Sequence, residues 1–302
     1  MGQRSFQDEM SRNRRDSLLL AVIVSAVLFA LIVSIGYMWD PTSVYIMVPI
    51  AVIMVFVYTW SSYQYGDRVV LSSVGAYPAE GPQFIYLNDT VEGLAIAAGI
   101  PKPKVYVMPS DELNAFATGK NPENASVAVT TGLMRTLNRQ ELEGVIAHEM
   151  SHIRNRDVQF MTLVAVLVGL IGILSHMILR SYWWGGGRSD RRERGKGGDI
   201  RMLIIVVGFV MAIFAPIVTR LVQLAVSRRR EYLADASGAE LTRYPDGLAN
   251  ALEKIKNTNR GNMKVSESVS HLFIADPVHS ALDAIYSTHP PIEDRIKRLR
   301  EM

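Results

Sequence analysis

Four long apolar runs divide the chain, and each is flanked by polar sequence. They occupy residues 17–39, 43–60, 158–179 and 202–226. Each run has close to the roughly 20 residues that a helix needs to cross the hydrocarbon core of a bilayer. Tryptophan and tyrosine residues stand at several run ends, as they do where helices leave a membrane. The pattern predicts about four transmembrane helices, with buried core helices as the alternative for the last two runs.

The apolar runs also set the expected division of the chain into four segments. Residues 1–60 are predicted to form an N-terminal tail and a transmembrane hairpin. Residues 158–226 are predicted to form a second apolar hairpin, whose loop is rich in glycine and arginine. Residues 61–157 and 227–302 are then the two halves of one polar domain, which the second hairpin interrupts.

Basic residues predict which side of the membrane the polar domain faces. The N-terminal tail carries Arg4, Arg12, Arg14 and Arg15, and basic segments tend to remain on the cytosolic side. We therefore expect a multi-pass protein of the plasma or inner membrane with its polar domain in the cytosol. The loop of residues 185–199 holds five basic residues, and a fully crossing second hairpin would place it outside. A second hairpin that does not fully cross is the alternative.

Composition excludes several kinds of chemistry. The chain contains no cysteine, which excludes disulfides, thiolate metal ligands and a cysteine nucleophile. Any metal ion must therefore be held by histidine and carboxylate side chains. The net charge is only +3 in 302 residues, so charge gives no indication of a nucleic-acid partner. Hydrophobic residues make up 49% of the chain, which agrees with a lipid bilayer around part of it.

The segment GVIAHEMSHIRNRD, residues 144–157, holds the strongest chemical signal. His148 and His152 are four residues apart, so in a helix both imidazoles lie on one face. They can then bind one zinc ion, with Glu149 beside the water that the metal activates. The alternative is a surface helix that carries two solvated histidines.

Local signals predict the structure around this segment. Asn138 and Glu141 predict a capping box at the start of the histidine-bearing helix. Because no proline or glycine interrupts residues 145–168, this helix is predicted to continue into the third apolar run. The segments NAFATG (114–119) and ASVAVTTG (125–132) are predicted to be two strands joined by a polar turn.

A third metal ligand is expected from the segment that follows the fourth apolar run. Glu231 and Asp235 are four residues apart in SRRREYLADASGAE, residues 227–240. Glu231 can complete a zinc site with three protein ligands and one open position, which is the arrangement of catalytic zinc sites. Asp235 can accept a hydrogen bond from a ligand histidine and fix its tautomer. The alternative is that both carboxylates only pair with the neighbouring arginines.

Five segments together give the chain a resemblance to a known family. They are SDELNAFATG (110–119), VAVTTGLM (127–134), ELEGVIAHEMSHIRNRD (141–157), SRRREYLADASGAE (227–240) and STHPPIEDRIKRL (287–299). In this order, they resemble the HtpX-type membrane zinc endopeptidases, which are relatives of the CAAX prenyl proteases. The resemblance covers essentially the whole chain. It implies an α-helical membrane protein with a mainly α cytosolic zincin metallopeptidase domain that contains a small β-sheet.

The resemblance implies roles for further residues. It implies that His289 stabilises the oxyanion and that Arg295 pairs with Asp235. The alternative for His289 is a structural position before the last helix, since Pro290 and Pro291 can begin that helix. The remaining roles it implies are zinc ligation by His148, His152 and Glu231, general base catalysis by Glu149, and backbone pairing with the substrate by an exposed edge strand of Asn114, Ala115 and Phe116.

The expected activity follows from this resemblance. The chain is expected to be a zinc-dependent endopeptidase with one Zn²⁺ per subunit. Its expected substrates are cytosol-exposed regions of unfolded, misfolded or damaged membrane proteins. The alternatives are a prenyl-protein processing peptidase and a membrane scaffold with a vestigial zinc site. The sequence predicts neither the oligomeric state nor individual substrates.

Overall fold

The computed structural model describes residues 41–166 and 228–302 without residues 264 and 278–288, and also isolated positions between 15 and 33 and residue 169. The first apolar run is therefore described only in part. Most of the third run and all of the fourth lie outside the described residues. Within the described part of the chain, helices pack around a four-stranded sheet, which agrees with the expected mainly α domain with a small β-sheet.

The first long helix, α1 (Val44–Ser73), contains the second apolar run. Among the described residues, it is the one helix that is long and apolar enough to cross a membrane. Large apolar side chains such as Ile53 and Phe56 are exposed along it. The helix continues well beyond the predicted end at Trp60 and stops just before Gly75, which has a φ of 64°. The predicted segment boundary at residue 60 therefore lies inside a helix.

A four-stranded sheet begins shortly after α1 in the chain. Its strands are β1 (Tyr77–Pro78), β2 (Lys104–Met108), β3 (Ala115–Gly119) and β4 (Ala125–Thr130). The strand order is β1-β2-β4-β3, with β2 and β4 parallel and the other two pairs antiparallel. The prediction of two strands around a polar turn is confirmed by β3 and β4, and both strands are buried along their full length.

Three helices connect the sheet to the rest of the domain. α2 (Ile85–Ala98) lies between β1 and β2 in the chain, and α3 (Thr131–Thr136) follows β4 directly. α4 (Arg139–Arg154) is the helix of the histidine pair. The predicted capping box at its start is confirmed, since the Asn138 side chain accepts from the Glu141 amide and the Glu141 carboxylate accepts from the Asn138 amide.

The second half of the domain packs closely against α4. It contains α6 (Arg228–Thr242), α7 (Pro245–Thr258), α8 (Glu267–Ser270) and α9 (Ile292–Arg300). Two glycines permit α6 and α7 to approach α4 closely. A Cβ atom at Gly144 would lie 2.6 Å from the amide nitrogen of Leu248, and one at Gly238 would lie 3.0 Å from that of His148. These contacts place the start of α6 beside the histidine pair.

The prediction that α4 continues into the third apolar run is wrong. α4 ends at Arg154, and a new helix, α5 (Asp157–Val166), begins after a two-residue turn. Arg156 makes this turn with a φ of 60°, in the left-handed region that residues other than glycine rarely adopt. Most of α5 is buried in the domain, including Val158 and Val164. This part of the third run therefore matches the alternative of a buried core helix.

Candidate metal centre

Two imidazoles and one carboxylate meet between α4 and α6. His148 and His152 lie on one face of α4, with their Nε2 atoms 3.3 Å apart. Glu231, in the first turn of α6, places Oε1 3.5 Å from the His152 Nε2 and Oε2 3.8 Å from the His148 Nε2. All three side chains are buried. The structure thus brings together the three residues that the sequence nominated as metal ligands.

The spacing of these atoms fits a divalent metal ion. Tetrahedral coordination with bonds of about 2.0–2.2 Å, as zinc makes to nitrogen and oxygen, separates ligand atoms by about 3.3–3.6 Å. The two histidine nitrogens are 3.3 Å apart, within this range, and each has a Glu231 oxygen nearby, Oε1 at 3.5 Å from His152 and Oε2 at 3.8 Å from His148. The buried Glu231 Oε2 has no hydrogen-bond partner among the described residues, so a bound cation would satisfy it. The donor set of two imidazoles and a carboxylate therefore fits zinc.

The electrostatics of the site favour positive charge between these ligands. Burial opposes the charged form of Glu231, but His289, His152 and Arg295 hold the pKa of its carboxyl well below its usual range. Burial also opposes the charged form of His152, but the hydrogen bond to Asp157 and the charge of Glu231 raise its pKa to about 9. A metal cation in the same position meets the same surrounding carboxylates, so it can replace the proton on His152.

Asp235 and Arg295 support His148 at its Nδ1 side, and Arg295 Nη1 also lies 3.6 Å from Glu231 Oε2. Asp235 Oδ1 lies 3.0 Å from the His148 Nδ1. Arg295 donates from Nε to Asp235 Oδ2 at 2.9 Å and from Nη2 to Asp235 Oδ1 at 2.7 Å, so the pair is bidentate. Although burial opposes its ionisation, Arg295 lowers the pKa of Asp235 to about 2. The sequence-predicted partners Asp235 and Arg295 are therefore in direct contact, and Asp235 contacts a histidine of the pair.

Glu149 lies beside the ligands and is almost completely buried. Burial raises the pKa of its carboxyl to about 7, although the nearby His152 opposes this rise. A hydrogen bond from the Ala117 amide to the carboxylate also opposes it. A group with a pKa near neutrality can both accept and release a proton at physiological pH. This position and this pKa suit a general base.

His289 lies at the edge of the same site. Its Nδ1 is 3.4 Å from Glu231 Oε2, and neither ring nitrogen has a hydrogen-bond partner among the described residues. Pro290 and Pro291 follow it, and Pro291 is the residue before the first turn of α9. His289 therefore both faces the metal ligands and leads into the last helix. It also lines a cavity of about 260 Å³ that runs beside Ile274 and Arg295.

The expected exposure of the edge strand at Asn114, Ala115 and Phe116 is wrong, whereas its pairing with a substrate stays a prediction. All three residues are buried, although β3 is an edge strand of the sheet. The amide of Ile274 donates to the Ala115 carbonyl at 2.9 Å, and the Asn114 side chain donates to the Ala275 carbonyl at 2.8 Å. The ring of Phe116 packs edge-on against that of Phe273, with centroids 5.0 Å apart. A segment from the second half of the chain therefore closes this part of the edge.

Sequence reasoning missed one residue of the centre and one buried histidine near it. Asp157 served only as a boundary of the histidine segment, yet its Oδ2 lies 3.0 Å from the His152 Nδ1. A spacing of five residues does not bring side chains together in a continuous helix, so no sequence signal marked this contact. No sequence pattern singled out His271. It is fully buried, with Nε2 3.1 Å from the Met161 carbonyl, so its position is structural.

The donor set of the site, two histidines four residues apart and a glutamate, is typical of a metallopeptidase. A model of the family described as Peptidase family M48 matches residues 83–302. The chain therefore belongs to peptidase family M48, whose members are metallopeptidases. This membership is consistent with the His-Glu-x-x-His segment of α4 and the glutamate of α6.

Comparison with individual proteins is consistent with this family. A protein named Protease HtpX homolog from Caldanaerobacter subterraneus is 45% identical over 308 residues, which cover 100% of this chain and 99% of that protein. A Protease HtpX homolog from Dictyoglomus thermophilum is 43% identical, covering 99% of this chain and 95% of that protein. The sequence resemblance to HtpX-type peptidases is thereby confirmed. A crystal structure of S. mikatae Ste24p is 20% identical with a TM-score of 0.49, covering 97% of this chain and 66% of that chain.

Proposed function

We propose that this chain is a membrane-embedded zinc endopeptidase in which His148, His152 and Glu231 bind one zinc ion per subunit. The observation that carries the proposal is the meeting of their ligand atoms in a buried space, at separations of 3.3, 3.5 and 3.8 Å. Membership of peptidase family M48 supports a metal-dependent reaction. Zinc in such a site supplies Lewis acidity, which favours the attack of water on a peptide carbonyl.

Glu149 is the general base of the proposed reaction. It takes a proton from the water whose oxygen attacks the carbonyl carbon of the peptide bond. It then delivers that proton to the nitrogen as the C–N bond breaks. The products are a carboxylic acid on one half of the substrate and an amine on the other. Its pKa of about 7 allows both transfers at neutral pH.

His289 is the donor to the carbonyl oxygen, on which negative charge develops during the attack. The 3.4 Å approach of its Nδ1 to Glu231 supports this role, because that contact orients the ring and leaves Nε2 for the substrate. Asp235 and Arg295 are positioning residues in the proposal. Their bidentate pair fixes the carboxylate that faces the His148 Nδ1, which directs the Nε2 of that ring towards the metal.

The proposed substrates are cytosol-exposed regions of misfolded or damaged membrane proteins. The exposed apolar surface of α1 supports attachment to a bilayer, and the proposal includes about four transmembrane helices with the site facing the cytosol. The strand β3, whose Ala117 amide bonds to Glu149, packs against the membrane-capable helix α1. A site in this place can reach chain segments that emerge from the same membrane. The basic N-terminal tail supports this orientation.

Metal-dependent cleavage of an unfolded substrate tests the proposal. The full-length chain, purified in detergent, is expected to cleave casein, to stop when a chelator removes its metal, and to resume when zinc is added. A chain that retains its fold but never cleaves casein with zinc bound would instead support a membrane scaffold with a vestigial site. Cleavage that persists after complete metal removal would contradict the metal-dependent mechanism.

A further inference from the structure

We propose that Asp157 is a positioning residue of the metal centre, which acts on His152 as Asp235 acts on His148. The inference rests on the proposed zinc site, and it adds a residue that links the two halves of the domain. Asp157 and His152 are both buried, at 2% and 4% exposure, so their contact is shielded from water. Asp157 Oδ2 lies 3.0 Å from the His152 Nδ1, which is hydrogen-bonding distance.

This contact sets the direction in which His152 presents its free nitrogen. When Nδ1 donates its proton to Asp157, the lone pair of the neutral ring is on Nε2. That Nε2 is the atom 3.3 Å from the His148 Nε2 and 3.5 Å from Glu231 Oε1. The carboxylate also restrains rotation of the ring, because it accepts the proton along one direction. Asp157 therefore selects the tautomer and the orientation that a metal ion requires of His152.

The backbone between the two residues is shaped for this contact. In a continuous helix, a residue five positions further on lies about 140° around the axis, so Asp157 would point away from His152. The turn between α4 and α5 brings it back, and Arg156 makes that turn with a φ of 60°. A left-handed conformation costs a non-glycine residue roughly 1–2 kcal/mol, so the surrounding structure must maintain it. The turn thus places the Asp157 carboxylate beside the His152 ring.

The two ligand histidines are supported in parallel ways. His148 faces Asp235, which is paired with Arg295, and His152 faces Asp157, whose Oδ1 lies 4.0 Å from the Arg230 Nε. Each imidazole is thus backed by a carboxylate, and each carboxylate has an arginine nearby. The two supports come from different elements, because Asp157 begins α5 whereas Asp235 is inside α6.

The arginine beside Asp157 extends the support to the third ligand. Arg230 immediately precedes Glu231, and its guanidinium lies 5.6 Å from the centre of the Phe160 ring in α5. The start of α6 therefore packs against the first turns of α5, next to Asp157. Through these contacts, Asp157 helps to hold together a histidine from before the 167–227 segment and a glutamate from after it.

Metal affinity measures this role without relying on catalysis. Asp157→Asn keeps the size of the side chain but removes its charge, and Asp157→Ala removes the acceptor. Loss of a carboxylate that supports a ligand histidine weakens metal binding by about 10–100-fold. We expect about 10-fold weaker zinc binding for Asp157→Asn and up to about 100-fold for Asp157→Ala, measured on the full chain by competition with a chelator. The control is Asp246→Asn, at an exposed ion pair with Arg300, which is expected to bind zinc normally.

Two further measurements separate positioning from simple structural support. A purely structural role would lower the thermal midpoint of the metal-free Asp157→Asn chain, because the buried His152 loses its charged partner, without weakening zinc binding by the folded chain. In the double variant with Asp235→Asn, zinc binding should be weaker than in either single variant, because each carboxylate supports a different ligand of the same ion. A lower midpoint of the metal-free Asp157→Asn chain with unchanged zinc affinity would show a structural role and overturn the inference.

The failure of this inference differs from the failure of the proposed function. Wild-type chain that binds zinc, together with Asp157→Ala chain that binds it within twofold of wild type, overturns the role of Asp157 alone. Zinc-loaded wild type that does not cleave casein overturns the proposed activity, whereas weakened zinc binding by the Asp157 variants would still support the inference. Wild type without zinc affinity overturns both.

Discussion

Burial decides what the Glu149 carboxyl can do, since it raises the pKa to about 7. Because Glu149 is not one of the three converging ligands, Glu149→Gln is expected to retain zinc and lose cleavage. The loss of a general base lowers the rate by about 10²–10⁴-fold. Metal analysis and casein cleavage on one preparation check both parts, with His148→Ala as the variant expected to lose zinc. A wild-type cleavage rate in Glu149→Gln would exclude Glu149 as the base, and normal zinc in His148→Ala would exclude that ligand.

His289 combines two positions, beside Glu231 and before Pro290, and the two predict different defects. As a donor to the carbonyl oxygen, its loss in His289→Ala should lower kcat by about 10²-fold with zinc content and KM little changed. As a structural residue before α9, its loss should lower the thermal midpoint and leave turnover of the folded fraction normal. Measuring kcat, zinc content and thermal midpoint together distinguishes the roles. A stable, zinc-loaded variant with wild-type kcat would contradict catalysis by His289.

His271 predicts an acid-sensitive contribution to stability. Burial lowers its pKa to about 4, although its hydrogen bonds with the Met161 carbonyl and the Ser268 backbone oppose the shift, and nearby His289 favours it. Since the unfolded chain protonates near its ordinary value of 6.5, unfolding takes up a proton between these two values. His271 therefore makes its full contribution to the free energy of unfolding above about pH 6.5, and this contribution falls as the pH drops towards 4.

The variant His271→Gln tests this contribution because it keeps a side-chain donor but cannot gain the proton. Between pH 7 and pH 4.5, wild type is expected to lose roughly 2 kcal/mol more unfolding free energy than the variant, at about 1.4 kcal/mol per pKa unit. Denaturant unfolding of both metal-free chains at the two pH values measures the difference. Equal losses in the two chains would show that His271 does not contribute to acid sensitivity.

At the scale of elements, the close approach of α7 to α4 depends on glycine at position 144, which has no side chain. A Cβ at Gly144 would lie 2.6 Å from the backbone nitrogen of Leu248, so Gly144→Ala must push the helices apart. Such overpacking costs typically about 1–3 kcal/mol. The matched control is Gly93→Ala in α2, where no atom of the described residues lies within 4 Å of the added Cβ. This control is expected to be neutral or to stabilise by about 0.5–1 kcal/mol, because alanine favours helix. Denaturant unfolding compares the two variants, and equal stability would contradict the packing argument.

The sequence predicts well the elements that depend on residues close together in the sequence. The capping box of Asn138 and Glu141 and the pair β3 and β4 follow from local signals, and the structure contains both. The turn at Arg156 was missed because neither proline nor glycine marks it, and its conformation is maintained by packing around it. The closed edge at Ala115 was missed for a similar reason, since its partner Ile274 is far away in sequence.

The same distinction applies to the metal centre. The spacing of His148 and His152, and of Glu231 and Asp235, is helical geometry, so the sequence could nominate the ligands and one supporting carboxylate. It could not show that Asp157 returns to His152, because that contact depends on the break between two helices. Local periodicity therefore finds side chains that share one helix face, and misses contacts that turns create.

At the scale of the whole molecule, the ligand contacts constrain how the chain can lie in a membrane. His152 and Glu231 are 3.5 Å apart, so the chain must be on the same side of the membrane where α5 begins and where α6 begins. Residues 167–227 must therefore cross the bilayer an even number of times or not cross it. The mostly buried start of the third apolar run allows either arrangement, because α5 packs within the domain before the run continues.

Labelling of single cysteines distinguishes these arrangements, since the chain has no cysteine of its own. Asn124 is exposed in the turn between β3 and β4, on the domain that we place in the cytosol, and Ser189 is in the basic loop. In intact cells, an impermeant thiol reagent is expected to label Ser189→Cys and not Asn124→Cys, whereas permeabilised cells should show both. Labelling of neither in intact cells would indicate a hairpin that does not cross. Labelling of Asn124→Cys in intact cells would contradict a cytosolic site, because the whole domain would then face outward.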